Sequence, residues 1–311
     1  MKYIIILAKE DDIHARVVSH FIKQKSDVKP VIIDTSEYPY AWTLSKKIYK
    51  SGVSYTIRHK DIIDSKDVVS VWYRRFYHPV IREIESKKVR SFCFNETISV
   101  LDGWMNSIGK KMLNKFDNQN SFDNKISQIQ IAKEIGLHVP ETLMSNDADE
   151  VIQFAKSIDK PIIFKAFTGS DFQFVETRIY KQEHTKYLEN LKYAPAIFQE
   201  AILDGVELRV TIVGRKLFCV KIEPKHSGAK LDWRLDSTAK ISKFKLSKKN
   251  ENKILQFMKE TGLEYGALDF KLTPDNKLFF FEVNVGGQYL FCEIHGEHPI
   301  SEAIADLLLA K

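Results

Sequence analysis

The hydrophobic positions in the N-terminal third of the chain fall into short apolar runs separated by a helical pattern. Lys2–Ala8 and Val28–Asp34 are runs rich in β-branched residues, and positions 17–22 between them carry apolar residues at helical spacing. Val69–Tyr73 is a third apolar run. The order strand, helix, strand is typical of a βαβ unit, so we predict a small parallel sheet with flanking helices.

The remainder of the chain predicts a mixture of helices and antiparallel strands. The polar stretch Phe116–Asn124 is rich in turn formers and is predicted to be a domain junction. A helix is expected from Ile126 to Ile135, because its apolar residues keep a helical period and Gly136 follows as a stop signal. Further strands are predicted at Pro161–Lys165, Ala196–Ile202, Glu207–Val213 and Lys216–Ile222, and further helices at Val151–Ser157, Ser247–Thr261 and Ser301–Ala310. This second part is therefore expected to be α+β.

Composition and charge narrow the functional classes. Hydrophobic residues make up 44% and charged residues 28% of the 311 residues, which is typical of a globular protein. The net charge of +6 is spread without a basic stripe interleaved with aromatics, which disfavours nucleic acid as a partner. The cysteines Cys93, Cys219 and Cys292 lie too far apart to indicate a zinc site or a disulfide framework, and reduced thiols favour a cytoplasmic location. The apolar start is too short for a signal sequence, and no run has the length that a membrane span needs.

The most informative candidate chemistry lies in a predicted hairpin. Tyr265–Thr273 and Lys277–Asn284 read as two strands joined by a Pro-Asp-Asn turn. Side chains alternate along a strand, so Glu282 and Asn284 share a face, and counting back through the turn places Asp269 opposite Glu282 to within a residue. Two carboxylates and an amide are hard oxygen ligands that suit Mg²⁺. On this pattern alone, the polar outer face of an ordinary hairpin stays open as the alternative.

Two lysines are candidate phosphate ligands. Lys165 ends an apolar run, and Lys125 stands at the start of a predicted helix, where a cation opposes the helix dipole. A solvated surface lysine is the commoner explanation for each residue taken separately. Thr168–Ser170 is a candidate loop to cover the phosphates.

Other groups suit a nucleoside or an anionic substrate. The strand Phe198–Ile202 can offer one N–H and one C=O to an adenine edge. Glu207 on the next strand can accept hydrogen bonds from ribose hydroxyls, and Arg209 shares its face. The alternative is that Glu207 and Arg209 form ion pairs with neighbouring strands. Arg74 and Arg75 directly follow a predicted parallel strand, at the sheet edge beyond which ligands tend to lie.

Taken in this order, these segments resemble the ATP-grasp superfamily, and more narrowly the microviridin-type peptide ligases, also called graspetide synthetases. The superfamily pattern consists of a lysine before the central helix, a strand-end lysine, a Gln-Glu-x-Ile strand, a Glu-x-Arg strand and an Asp…Glu-x-Asn hairpin. The subfamily is indicated by the Trp-Tyr-Arg-Arg and Asp-Trp-Arg segments. All matching segments together lie at Asp34–Pro39, Val71–Arg75, Asn124–Gln128, Gly136–Leu143, Glu207–Gly214, Asp232–Arg234 and Asn284–Tyr289.

The resemblance covers nearly the whole chain and implies an ATP-grasp fold of mixed α/β and α+β class. It implies a parallel α/β pre-ATP-grasp domain over residues 1–115, a central domain over 116–195, and an ATP-grasp domain over 196–311. ATP would be held between two antiparallel sheets.

The resemblance also implies roles for individual residues, all named here by their place in this sequence. Lys125 and Lys165 would contact ATP phosphates, Gln199, Glu200, Ala201 and Ile202 would line the adenine, and Glu207 would bind the ribose. Asp269, Glu282 and Asn284 would hold two Mg²⁺ ions. Arg209, Arg234 and Lys165 would act in catalysis, and Arg74, Arg75 and Asp232 would bind the substrate.

The resulting hypothesis is an ATP-dependent ligase that phosphorylates side-chain Asp or Glu carboxylates of a ribosomal precursor peptide and closes ester or amide rings. Its partner would be a peptide with a leader and a core rich in acidic and hydroxyl residues. Related enzymes are often dimers, so the resemblance leaves a homodimer open. Two alternatives remain: a RimK-like ATP-grasp ligase that adds amino acids to a small molecule or protein tail, and a nucleotide-binding module without catalysis.

Overall fold

The N-terminal part of the chain is built on a parallel sheet, which confirms the predicted βαβ unit. The structure is a computed structural model that describes residues 1–168, 176–226 and 231–311. In its first part the elements are β1 (Tyr3–Leu7), α1 (Ile13–Lys25), β2 (Lys29–Ile33), β3 (Thr43–Tyr49), β4 (Gly52–Arg58), β5 (Ile62–Asp64), β6 (Val68–Tyr73), α2 (Lys87–Ile108) and β7 (Met112–Leu113). The sheet has the order β2-β1-β6-β7, with β1 parallel to both neighbours.

The central strand β1 is buried on both faces. Ile4 and Ile6 belong to the same core cluster as the apolar residues of α1, whereas Ile5 and Leu7 belong to the cluster that contains the C-terminal half of α2. This double burial explains why the strand reads as a continuous apolar run rather than an alternating one.

A second, antiparallel sheet in this part was not predicted. It has the order β3-β4-β5. Most residues of β3 are exposed, so the strand carries no alternation of apolar and polar residues that the sequence analysis could detect.

The middle of the chain corrects one prediction. Its elements are α3 (Phe116–Phe122), α4 (Lys125–Glu134), β8 (Thr142–Ser145), α5 (Ala148–Ser157), β9 (Ile162–Lys165), β10 (Arg178–Ile179) and β11 (Ala196–Glu200). The stretch Phe116–Asn124, predicted as a turn-rich junction, mostly forms the helix α3. Phe116 and Gln119 are buried on one side of α3, and the polar residues that suggested turns lie mainly on its outer side. The strands form a sheet of order β10-β9-β11-β8.

The helices α4 and α5 are each capped by a polar side chain that precedes their first turn. The side chain of Asn124 accepts hydrogen bonds from the backbone N–H groups of Ile126 and Ser127 at the start of α4. Asp147 caps α5 in the same way. Of the candidate loop Thr168–Ser170, Gly169 and Ser170 lie outside the described residues. The three-domain division at residues 115 and 195 stays a prediction.

The last part of the chain forms a five-stranded antiparallel sheet flanked by helices. Its elements are β12 (Val206–Val213), β13 (Lys216–Glu223), β14 (Lys240–Lys243), α6 (Lys248–Thr261), β15 (Tyr265–Leu272), β16 (Leu278–Asn284), α7 (Leu290–Gly296) and α8 (Ile300–Leu309). The sheet order is β14-β13-β12-β15-β16, so β16 is an edge strand. One core cluster joins this sheet to α6, and another joins it to α7, α8 and α1. Among the described residues, no helix is both long and apolar enough to cross a membrane.

The buried side chain of Asn114 fastens the start of β15 to the end of β7. Its Oδ1 accepts hydrogen bonds from the backbone N–H groups of Glu264 and Tyr265 at 2.7 and 2.8 Å. Its Nδ2 donates to the carbonyl oxygen of Tyr265 at 2.9 Å and to Gln119 Oε1 at 3.1 Å. The amide therefore satisfies backbone groups that no strand partner reaches at this point.

Replacing this amide tests how strongly the contact holds the fold. Asn114→Ala is expected to lower the free energy of unfolding by about 2–4 kcal/mol, because two buried N–H groups lose their acceptor. Urea denaturation followed by circular dichroism measures this loss. The matched control is Asn118→Ala, which removes one hydrogen bond to the Gly262 carbonyl near the surface and should cost below about 1 kcal/mol. Equal losses in the two variants would contradict the role given to Asn114.

Candidate active site

The three predicted metal ligands converge on one face of the β15–β16 hairpin. Asp269 pairs directly with Glu282 across the two strands, and Ala267 pairs with Asn284, so the register deduced from the sequence is confirmed. The Asn284 amide donates to Asp269 Oδ2 and to Glu282 Oε1, each at 3.1 Å. The side chains of Asp269 and Glu282 remain partly exposed. This arrangement leaves carboxylate oxygens and one amide group within reach of the same point in space.

Two cations flank the paired carboxylates from opposite sides. Arg209 Nη1 on β12 lies 2.7 and 2.6 Å from the two carboxylate oxygens of Asp269. Lys125 at the start of α4 donates to Glu282 Oε2. Burial alone would raise the pKa of Glu282, but the charge and the hydrogen bond of Lys125 outweigh burial and lower it to about 2. For Asp269, burial wins over Arg209 and the pKa is raised above its usual range.

The donor set fits Mg²⁺ better than a softer metal. In the described part of the chain, no group of three or more His, Cys, Asp and Glu side chains is arranged to hold a metal. The hairpin instead offers two carboxylates and one amide, which are hard oxygen ligands of the kind that Mg²⁺ accepts alongside phosphate oxygens and water. Lys125 and Arg209 compensate the charge of both carboxylates, and they can also face a polyanion that arrives with the metal.

Gln128 fixes the strand that carries two of these ligands, and the sequence analysis gave it no separate role. Its Oε1 accepts from the backbone N–H of Val283 at 2.9 Å, and its Nε2 donates to the carbonyl oxygen of Val283 at the same distance. Since β16 is an edge strand, these backbone groups would otherwise have no partner in the sheet. Gln128 therefore fixes the backbone of β16 at the position between Glu282 and Asn284.

Lys165 reaches the site from the other sheet, at the end of β9. Its Nζ donates to Gln199 Oε1 at 3.2 Å and lies 5.9 Å from the centre of the Phe281 ring on β16. Gln199 is fully buried, and its Nε2 donates to Thr142 Oγ1 at 2.8 Å. Burial lowers the pKa of Lys165 to about 8, an effect that the charge of Glu282 partly offsets. A desolvated ammonium group between the two sheets is well placed to attract phosphate.

The backbone at the end of β11 is already engaged at two of the predicted adenine positions. The N–H of Glu200 donates to the Glu141 carbonyl and the N–H of Ala201 donates to the Pro161 carbonyl, each at 2.8 Å. The Glu200 side chain forms an ion pair with Lys160. These two N–H groups are therefore already hydrogen-bonded, so a contact of this segment with adenine would have to use other groups.

Glu207 and Lys271 form a pair beside the metal ligands. The two residues face each other across β12 and β15, with Lys271 Nζ 3.6 Å from Glu207 Oε1. Lys271 also donates to the carbonyl oxygen of Ile202 at 3.0 Å. Burial raises the pKa of Glu207 to about 7, against the opposing charge of Lys271. Lys271 is therefore a buried cation that joins the predicted ribose ligand to the predicted adenine segment, and the sequence analysis did not identify it.

Asp232 and Arg234 form a bidentate ion pair on the segment between β13 and β14. Arg234 Nε lies 2.7 Å from Asp232 Oδ1, and Nη2 lies 2.5 Å from Oδ2. The carboxylate is buried, whereas about half of the Arg234 side chain is exposed. The charges of Glu282 and Asp269 contribute to the raised pKa of Arg234, after its hydrogen bond to Asp232 and the charge of that carboxylate. Asp232 thus orients a cation that still presents itself to solvent.

The arginine pair that follows β6 divides into an inner and an outer residue. Arg74 is 2% exposed, and Nη1 donates to the Gly286 carbonyl at 2.5 Å. Arg75 is exposed. The Arg74 guanidinium lies among Asp12, His14 and the Gly286 carbonyl, which explains why this residue is the inner one.

The structure brings the residues predicted for phosphate and metal together at one place. Hydrogen bonds or electrostatic interactions link these residues to one another: Lys125, Lys165, Arg209, Asp269, Glu282 and Asn284. The residues that sequence reasoning missed, Gln128 and Lys271, are polar side chains without a recognisable spacing. In the sequence, the only feature that could have indicated them is that each is a polar residue within an otherwise apolar helical or strand pattern.

Comparison with known proteins identifies the fold and the kind of enzyme. A family model described as the MvdD pre-ATP-grasp domain matches residues 2–120. The chain is similar to the macrocyclase MdnC of Microcystis aeruginosa MRC, solved with the precursor peptide MdnA, at 29% identity over 100% of both chains and a TM-score of 0.87. It is also similar to a RiPP-associated ATP-grasp ligase of Chryseobacterium gregarium, solved with ADP and a leader and core peptide, at 28% identity over 100% of this chain and 97% of that one, with a TM-score of 0.89.

A third solved structure supports the fold alone. The ATP-grasp ligase PsnB, in complex with Mg, ADP and a phosphomimetic variant of a minimal precursor, shares 20% identity over 99% of this chain and 97% of that one, with a TM-score of 0.79. The two more similar structures extend the match from the N-terminal domain to the sheets that carry the candidate site. The predicted fold class is confirmed, and over its whole length the chain is similar to ATP-grasp ligases of the graspetide type.

Proposed function

We propose that this enzyme uses Mg·ATP to activate side-chain carboxylates of a ribosomal precursor peptide and closes ester or amide rings within that peptide. The proposal rests on one observation. Lys165, at the end of β9 in one sheet, lies close enough to interact electrostatically with Asp269 and Glu282 of the other sheet, where Asn284 donates to both carboxylates. A phosphate-binding cation and an oxygen-rich metal site on facing sheets are what transfer of the ATP γ-phosphoryl group requires.

The first chemical step joins a peptide carboxylate to the γ-phosphoryl group. A carboxylate oxygen attacks the γ phosphorus and ADP leaves, which gives an acyl phosphate. Asp269, Glu282 and Asn284 would hold Mg²⁺, which would supply charge neutralisation to the phosphate oxygens when bound, and we propose two ions there. Lys125 and Lys165 hold the phosphate oxygens in place, and Arg209 orients Asp269 through hydrogen bonds to both of its carboxylate oxygens.

The second step closes the ring. A Thr or Ser hydroxyl, or a Lys amine, of the same peptide attacks the acyl carbon, and inorganic phosphate leaves with the former carboxylate oxygen. The exposed side of Arg234 is placed to steady the phosphate as it departs, since Asp232 fixes its guanidinium. Each ring therefore costs one ATP and removes one water from the peptide in net terms.

The residues around the phosphate and metal groups suggest where the nucleoside and the peptide would bind. We assign Glu207 to the ribose hydroxyls and the segment Gln199–Ile202 to the adenine, with Lys271 tying the two together. Arg75 is the exposed cation beyond β6 and is assigned to a carboxylate of the peptide. A core rich in acidic and hydroxyl residues would supply both partners of each ring.

The first prediction concerns the metal ligand that β16 carries opposite Asp269. Glu282→Gln is expected to lower ADP formation at least about 100-fold, because the neutral amide binds Mg²⁺ more weakly and leaves Lys125 without its counter-charge. Phosphate release in the presence of the peptide measures the loss, and circular dichroism checks that the fold persists. Asp275→Asn, which removes an exposed carboxylate in the turn of the same hairpin, is the matched control and should keep wild-type turnover. Wild-type turnover in Glu282→Gln would remove the metal assignment.

The second prediction concerns the product. When the protein is coexpressed with a candidate precursor peptide that has a leader and a core rich in acidic and hydroxyl residues, intact-mass analysis should show the loss of one water for each ring. The same peptide coexpressed with Glu282→Gln should keep its mass. A gain in mass by whole residues would instead support the RimK-like ligase, and Mg²⁺-dependent ATP binding without any ADP formation would support a module without catalysis.

A further inference from the structure

Three side chains hold the turn that follows β16 through three consecutive carbonyl oxygens. These side chains come from different strands or strand ends, at β6, β15 and β12. The pairs are Arg74 Nη1 with the Gly286 oxygen at 2.5 Å, the Tyr265 hydroxyl with the Gly287 oxygen at 2.7 Å, and Arg209 Nη2 with the Gln288 oxygen at 3.2 Å. Only the first of these side chains belongs to the pre-ATP-grasp domain.

Arg74 is enclosed by protein groups rather than by a substrate cleft. Its Nη2 lies 3.5 Å from Asp12 Oδ2 and 3.2 Å from His14 Nδ1. Burial and then the charge of Arg74 lower the pKa of His14 to about 4, so the ring beside the guanidinium is neutral. The guanidinium is thus directed into the interior, toward the turn and the start of α1.

Two glycines allow the turn to pass this close to its neighbours. A Cβ on Gly286 would lie 2.9 Å from the carbonyl oxygen of Arg74. A Cβ on Gly287 would lie 3.0 Å from Arg209 Nη2 and 3.0 Å from Asn284 Cβ. All three distances are shorter than ordinary van der Waals contacts, so the turn, Arg74 and the strand that carries Asn284 are closely packed.

The turn is coupled directly to the metal-ligand set. The N–H of Gly287 donates to the carbonyl oxygen of Asn284 at 3.0 Å. Arg209, which donates to the Gln288 carbonyl through Nη2, holds Asp269 through Nη1. A shift of the turn therefore moves Asn284 and the cation that orients Asp269 together.

From these contacts we infer that Arg74 is a positioning residue of the Mg·nucleotide site, through which the pre-ATP-grasp domain sets the geometry of the metal ligands. This inference rests on the proposed Mg·ATP function, and it reassigns Arg74 from substrate binding. Arg75, which is exposed next to it, keeps the assignment to the peptide carboxylate.

The test measures Mg²⁺-dependent nucleotide binding without any peptide. Binding of a fluorescent ADP analogue to the full-length protein is titrated with Mg²⁺ for the wild type, Arg74→Lys and Arg82→Gln. Lysine keeps the charge but cannot span Gly286 and Asp12 as the guanidinium does, so the half-maximal Mg²⁺ concentration should rise about tenfold, as for other residues that orient metal ligands. Arg82→Gln, which removes an exposed arginine that pairs with Glu37, is the matched control and should stay within about twofold of the wild type.

A second variant tests the contact between Arg74 and the turn by changing the turn instead of the arginine. Gly286→Ala pushes the turn away from Arg74 while leaving the arginine in place, and it should reproduce the shift in Mg²⁺ dependence. With peptide present, Arg74→Lys should lower kcat at unchanged KM for the peptide, whereas Arg75→Gln should raise that KM. Titrations run well below the melting temperature of each variant, and if one variant fails to fold the other provides the answer.

The outcomes separate this inference from the function on which it rests. Unchanged Mg²⁺ dependence in both Arg74→Lys and Gly286→Ala, or a rise in peptide KM alone in Arg74→Lys, would overturn the positioning role. An absence of Mg²⁺-dependent nucleotide binding in the wild type would overturn the proposed function itself.

Discussion

Two carboxylates that face each other across neighbouring strands stay ionised only when cations lie beside them, and this constraint organises the active site. Asp269 and Glu282 are such a pair, and desolvation by the surrounding sheet adds to their mutual repulsion. Arg209 compensates one carboxylate from the neighbouring strand, and Lys125 compensates the other from α4. The geometry of the proposed metal ligands therefore exists only once the sheet and this helix are both in place.

The edge position of β16 is what makes this arrangement possible. A strand in the middle of the sheet would have its outer backbone groups occupied by another strand, with no room for α4. Here Gln128 satisfies the N–H and C=O of Val283, and the carbonyl of His138 accepts from Phe280. Lys125 and Gln128 are three positions apart and so share a face of α4. One helix thus protects the edge and delivers a cation to the site.

The sequence was sufficient for those parts of the site that depend on local periodicity. Alternation along a strand placed Glu282 and Asn284 on one face, and counting through the turn placed Asp269 opposite Glu282 to within one residue. A register shift between Asp269 and Phe270, which the sequence does not reveal, produces the pairing that the structure shows. The same reasoning could not separate Arg74 from Arg75, since only distant residues such as Asp12 and Gly286 decide which one is buried. Phe116–Asn124 was misjudged for a related reason: burial of Phe116 and Gln119 outweighed a composition that favours turns.

Stability alone does not explain a buried arginine at position 74. Removing a guanidinium from water costs several kcal/mol, and a well-packed apolar side chain of similar volume is often as stable in such a position or more so. An apolar side chain cannot donate to the Gly286 carbonyl, however, and it would leave Asp12 without its partner cation. The bond to the turn is thus the property that only a long, forked donor provides, which makes alignment of the metal-ligand strand the physical reason for an arginine here.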